Sequence, residues 1–229
     1  MMKNLQVENL HMKERAYPGF LFTFCGLDGC GKTSMIKRLT QYLQSRNIKP
    51  VLTKQPTEAV RQSPIFRTYM NSPNNEAYSY RSLSLLAASD RIQHTEKEIE
   101  PALKNGSVVI SDRYFYSCLA NLRARGFVKD RWLYEIAQFI VKPSISFFLD
   151  VPVETAVKRV RQREEEKERY IDMELQYRLR EEYLKIAETV GGVVVRTGQT
   201  EEESFQMVVK WINRRLHEEK VKEDKGKLV

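Results

Sequence analysis

Gly26-Leu27-Asp28-Gly29-Cys30-Gly31-Lys32-Thr33 has the composition and spacing of a loop that holds phosphate. Four residues separate Gly26 from Gly31-Lys32-Thr33, an apolar run precedes the loop, and a segment with helical periodicity follows it. Glycines let such a backbone turn its N–H groups inward around an anion, and the following helix adds unsatisfied N-terminal donors. Lys32 is then placed to bridge the β- and γ-phosphates, and the Thr33 hydroxyl to bind Mg²⁺. The eight residues Gly26, Leu27, Asp28, Gly29, Cys30, Gly31, Lys32 and Thr33 are expected to line a nucleoside triphosphate site. Asp28 does not fit that role, because a carboxylate repels the anion the loop surrounds. Cys30 reads as a small residue that fits the loop.

A second cluster lies in Val-Val-Ile-Ser-Asp-Arg-Tyr, residues 108–114. It reads as an apolar strand ending in Asp112 and Arg113. In open α/β sheets ligands gather at the carboxyl ends of the strands. There a carboxylate at Asp112 can hold Mg²⁺, directly or through water, and the Arg113 guanidinium can clamp a second phosphate.

Positioning these groups requires a parallel sheet. Short, nearly continuous apolar runs at residues 21–25, 51–53, 108–111, 146–150 and 193–196 suit strands buried on both faces. The segments between them read as helices, at 32–46, 79–103, 153–163 and 201–217. Strand–helix alternation predicts an α/β class with crossover helices on both faces. With 229 residues the chain suits one such domain. Two stretches break the rhythm. Residues 70–78 form a polar, turn-rich loop. Residues 161–172 are almost wholly charged and on composition alone read as a solvated helix face. Beyond about residue 222 the lysine-rich tail is expected to fray.

Bulk properties narrow the classes further. No apolar run approaches the length of a bilayer span, and the first residues lack a secretory pattern, so a cytoplasmic protein is expected. Three cysteines, Cys25, Cys30 and Cys118, have no metal-like or paired spacing. A net charge of +8 is as well explained by a polyphosphate site as by nucleic acid, which is not expected as the main partner.

Four blocks together resemble the thymidylate kinase family of nucleoside monophosphate kinases: FCGLDGCGKTSM, TKQPTE, SLLAASDRIQHTEKEIEPALKNGSVVISDRYFYSCLAN and FFLDVPVETAVKRVRQREEEKERYID. The third is the most specific, since a generic phosphate loop does not predict it. The resemblance covers residues 20–212 and implies a P-loop NTPase fold with a five-stranded parallel sheet, helices on both faces and a mobile lid at about 161–172. On this division residues 1–19 form an N-terminal extension and 218–229 a polar tail. It also implies transfer of the γ-phosphate of ATP to thymidine monophosphate, with Mg²⁺, in a homodimer. Asp28 matches a carboxylate that faces the acceptor's 3′-hydroxyl. Arg91 and Arg113 match arginines at the acceptor phosphate, Asp112 the acid near Mg²⁺, and Lys54 keeps a basic contact. Ser117 falls within the matching acceptor motif. The family divides by whether one transition-state arginine sits in the phosphate loop or in the lid. Gly29 and Cys30 are not cationic, so the chain resembles the lid type, with Arg163 preferred, then Arg161, then Arg169.

Two departures fall on the nucleoside. Ala87 stands where the family stacks an aromatic ring on thymine, and Asn121 where a tyrosine often lies beneath the deoxyribose. Cys118 stands where a polar contact to the base is common. Three readings follow: neighbouring aromatics such as Tyr78, Tyr80, Tyr114, Phe115 or Tyr116 supply the stacking and the acceptor is thymidylate; the acceptor is another monophosphate, with a larger base or a ribose; or the chain is a nucleotide-binding regulator without transfer activity.

Overall fold

A computed structural model describes residues 10–14, 17–72, 77–198 and 200–226. Five strands, β1 (Phe20–Cys25), β2 (Val51–Lys54), β3 (Val108–Asp112), β4 (Ile145–Asp150) and β5 (Val193–Arg196), form one sheet in the order β2-β3-β1-β4-β5. Every pairing is parallel. The apolar runs therefore mark all five strands to within one residue at either end. The inner strands β1, β3 and β4 are largely buried, and the two edge strands less so: β5 is buried at alternate residues, and in β2 Val51 and Leu52 are 41% and 53% exposed. Place at the sheet edge is not revealed by a strand's local sequence.

The helices are α1 (Lys32–Gln44), α2 (Glu58–Arg61), α3 (Pro64–Asn71), α4 (Tyr80–His94), α5 (Glu100–Lys104), α6 (Phe115–Ala124), α7 (Arg131–Ile136), α8 (Val153–Arg161), α9 (Met173–Thr189) and α10 (Glu201–Gly226). Right-handed crossovers from β1 leftward to β2 and from β3 rightward to β4 require their helices on opposite faces. The packing agrees: α1 meets α10, while α6 meets both α4 and α9.

Three expectations change. The single helix read at 79–103 is interrupted by one π-helical turn, Thr95–Ile99. Pro101 in the next turn lacks an N–H, and its ring would press on the carbonyl four residues back; a wider turn relieves both. The charged run is not a helix face. Helix α8 stops at Arg161, and a 3-10 turn (Glu164–Glu166) leads to Asp172, whose carboxylate caps α9 by accepting from Leu175 N at 3.0 Å. Finally, α10 continues past residues 217 and 222 through Gly226.

The described residues before β1 are docked. Lys13 bridges to Val141 with its N–H on Ile140 O at 2.9 Å, its ammonium pairs with Glu100, and Leu10, Met12 and Tyr17 pack on the core.

Candidate active site

The sheet register assembles the site. Phe24 on β1 pairs with Asp112 on β3, and Asp112 pairs with Lys54 on β2. The phosphate loop, Asp112-Arg113 and Lys54 therefore emerge together at the carboxyl edge. Arg113 adopts a left-handed backbone, φ +65°, which costs a non-glycine residue roughly 1–2 kcal/mol. Its N–H on Phe24 O at 2.9 Å and the contacts of its side chain hold it there.

That side chain donates to Gly26 O at 3.3 Å, to Tyr183 Oη at 3.3 Å and to the Asp28 carboxylate. From the opposite side Arg169 Nη2 reaches Asp28 Oδ2 at 2.8 Å, its other nitrogen held by Glu166 at 2.6 Å. The awkward carboxylate of the loop is thus shared between a strand-end arginine and a lid arginine. Burial raises the Asp28 pKa, but the charges of Arg113, Lys32 and Arg169 outweigh it and hold the group far below the usual carboxylate range. Its contribution to stability is therefore complete above the unfolded value near ~4 and fades only as pH falls toward that depressed folded value.

Lys32 is buried, and its Nζ lies 2.7 Å from Leu27 O, 3.1 Å from Gly26 O and 3.6 Å from Cys30 Sγ. Lys54 Nζ lies 3.5 Å from Asp112 Oδ2. Asp112 Oδ1 is buried without a hydrogen-bond partner, and Thr33 is exposed in the first turn of α1. These are hard oxygen donors of the kind Mg²⁺ takes, few enough to leave positions for phosphate and water. Among the described residues no cluster of three or more His, Cys, Asp or Glu could hold a metal ion by itself.

Helices α4 and α6, which carry the residues that the resemblance gives to the acceptor, pack against each other. Arg91 is buried, donates to Ala87 O at 2.8 Å and has an Nε with no partner, so it carries an uncompensated donor for an anion. Ala87 and Ser117 are buried alongside. Asn121 donates to Ser117 O at 2.9 Å and accepts from Arg125 at 2.8 Å.

Of the lid arginines, the structure brings Arg169, ranked last in sequence, onto the loop. Arg161 turns back to Lys167 O, and Arg163 is exposed with no side-chain bond to the loop among the described residues. Residue spacing cannot separate three arginines in one charged run; only the path of the lid does.

Sequence reasoning missed several supports. Tyr183 sits in the buried stripe of α9, where a hydroxyl among apolar neighbours signals a polar partner; that partner is Arg113. Arg159 donates to Gly29 O at 3.4 Å and Thr197 O at 3.2 Å, and Thr197 Oγ1 donates to Cys30 O at 2.8 Å, so α8 and the turn after β5 both brace the loop.

The thymidylate kinase family model matches residues 24–208, which include the loop, α4, α6 and the charged run at 161–172. The chain belongs to the thymidylate kinase family. It is 41% identical over 168 residues to a probable thymidylate kinase of Thermococcus kodakarensis, covering 71% of this chain and 82% of that one. A probable thymidylate kinase of Pyrococcus horikoshii is 37% identical over 172 residues, covering 74% and 83%. A thymidylate kinase of Geobacillus is 33% identical over 200 residues, covering 83% and 94%. Within this thymidylate kinase scaffold no described helix is long and apolar enough to cross a membrane.

Two glycines of the loop, Gly26 and Gly29, lie where an added Cβ would run into backbone, and Gly29 is the tighter. A Cβ on Gly29 would lie 2.1 Å from the backbone oxygen of Ala156, at φ +83°, whereas one on Gly31, at φ +96°, would meet nothing within 4 Å. Gly29→Ala is expected to destabilise by ~2–3 kcal/mol, a fall in Tm on the order of 5–10 °C, and Gly31→Ala by clearly less. Thermal melts of the two variants check this; equal shifts would mean that the approach to α8 is not tight.

Proposed function

We propose that the chain transfers the γ-phosphoryl group of ATP to thymidine monophosphate, giving ADP and thymidine diphosphate. The observation that carries this reading is Asp28, a carboxylate in the triphosphate loop held jointly by Arg113 and Arg169. A loop that only bound or hydrolysed a triphosphate would gain nothing from it. Between two substrates it sets the acceptor-side arginine, the lid arginine and Lys32 around one point.

In the step itself an acceptor phosphate oxygen bonds to the γ-phosphorus as the bond to the bridging β–γ oxygen breaks. The acceptor oxygen is already anionic, so no protein base is needed. Charge spreads over the transferring group, and the protein's part is to place cations around it and keep water away. Lys32 and Arg169 serve the donor phosphates, while Arg91, Arg113 and Lys54 serve the acceptor phosphate. Asp28 keeps two of these cations aimed and faces the acceptor sugar. We assign Mg²⁺ to Thr33 and Asp112, where it would neutralise phosphate charge. A cytoplasmic setting, where ATP is maintained, and a homodimer complete the proposal.

An ADP-release assay across the common nucleoside and deoxynucleoside monophosphates tests it. Thymidine monophosphate is expected to give a kcat/KM at least tenfold above cytidine or uridine monophosphate. If no monophosphate accelerates ADP release, the chain is not a transferase; if a ribonucleotide leads, the acceptor is wrong.

A further inference from the structure

The His94 imidazole has no role in the site described above. It ends α4, only 2% exposed, and both ring nitrogens are engaged. Nε2 meets the Thr53 hydroxyl and lies 3.4 Å from Glu98 Oε2, on the π turn that follows the helix. Nδ1 lies 3.1 Å from Gln55 Nε2. An amide nitrogen only donates, so Nδ1 accepts and the ring carries its one proton on Nε2. Burial keeps the ring in this neutral form, lowering its pKa more than the Glu98 and Asp90 carboxylates raise it.

The two residues that the ring holds flank Lys54 in the chain. Side chains alternate along a strand; Thr53 and Gln55 meet α4, while Lys54 between them reaches Asp112 on β3. Gln55 is wholly buried and its N–H donates to Asp112 O at 3.0 Å. Its side-chain amide has no partner besides His94 among the described residues, and its Oε1 is buried unpaired, so its placement depends on the ring. Four residues before His94, Asp90 adds a second tie, accepting from Thr57 N at 2.8 Å and from the Thr57 hydroxyl. Arg91 lies one turn from His94 on the same helix and has an unpartnered Nε. One stretch of α4 thus carries one cation and grips the chain on both sides of another.

We infer that His94 is a positioning residue for the acceptor phosphate: by holding Thr53 and Gln55 it fixes Lys54 relative to Arg91, so that the two cations converge on one anion. Lysine is a point charge on a flexible stem, and where its backbone is anchored decides where that charge can reach. Anchoring it in advance removes part of the ordering cost from acceptor binding. His94 itself touches neither the acceptor nor the transferring group.

This inference rests on the transferase reading, and the experiment separates the two. Steady-state kinetics are measured with thymidine monophosphate and ATP varied in turn. His94→Ala is expected to raise the acceptor KM about five- to tenfold, with the ATP KM within about twofold and kcat within about threefold. In a Lys54→Ala background the same change should move the acceptor KM by less than about twofold, because the ring acts through that lysine. His94→Asn, whose carbonyl can take the Gln55 amide, should return the acceptor KM to within about threefold of wild type. An unchanged acceptor KM in His94→Ala overturns the inference. So does an equal rise with and without Lys54, or a rise in both KM values that tracks a lower Tm, which marks a structural role. If His94→Ala does not fold, Thr53→Val decides: the acceptor KM should rise about three- to fivefold with Lys54 present and stay level without it, and any other pattern overturns the inference. A wild type whose ADP release no monophosphate accelerates overturns both readings. Preference for another monophosphate overturns the thymidylate reading alone, and the variants are then judged on that acceptor.

Discussion

Lys32→Ala should lower kcat for phosphoryl transfer by at least ~10³-fold, which corresponds to about 4 kcal/mol of transition-state stabilisation. The size follows from where the ammonium sits. Lys32 is 7% exposed, and the carbonyls of Gly26 and Leu27 fix its Nζ inside the loop. A charge held in so little water acts on a developing anion far more strongly than one on the surface. Water cannot take its place without losing the alignment. Single-turnover transfer measured over long incubation supplies the rate, and a melt confirms that the fold survives. A rate within tenfold of wild type would remove the loop from the mechanism.

The second large effect separates the lid arginines. Arg169→Ala should cut kcat by about 10²–10³-fold, while Arg163→Ala stays within about threefold. Arg169 is braced by Glu166 and meets Asp28, its side chain 30% exposed. Arg163 points into solvent, where a cation is screened and must give up rotamer freedom to act. Comparing kcat for alanine variants at 161, 163 and 169 decides the matter. A greater loss at 163 would mean that the lid rearranges so far during turnover that its described position is not the working one.

The contrast between these two predictions shows what the chain discloses by itself. The place of Lys32 was legible because it depends on local spacing: a strand, a glycine loop and a helix are contiguous, and their geometry is fixed over eight residues. The strands were legible for a similar reason, since burial on both faces demands unbroken apolar runs. Arg169 was not, because it lies among eight other charged residues in the same run, two of them arginines that look the same until the chain path is known. Asp28 needed two partners 85 and 141 residues away, Arg113 and Arg169. The π turn before α5 was hidden because Glu-Pro reads as a tolerated first-turn proline. It took the continuing helix on its N-terminal side to force the wider turn. Asn121 shows another hidden link: the amide expected to be open to a hydroxyl already gives one N–H to Ser117 O and takes a bond from Arg125 on its oxygen.

The strand order has a consequence for how the protein is made. β1 lies at the centre of the sheet, between β3 and β4. Thr23 on β1 touches Ser146 on β4, which follows it by 123 residues. At ~5–20 residues per second, the ribosome delivers that partner about 6–25 s after β1. During this interval the run Phe-Leu-Phe-Thr-Phe-Cys has at most one flank covered, and it is among the most apolar stretches of the chain. The phosphate loop hangs from its end, so the oldest part of the active site is also among the last to be fixed. Until β4 is made, the nucleotide motif therefore hangs from a strand with an open flank, and that flank, on which half the sheet is later built, is the one offered to chaperones.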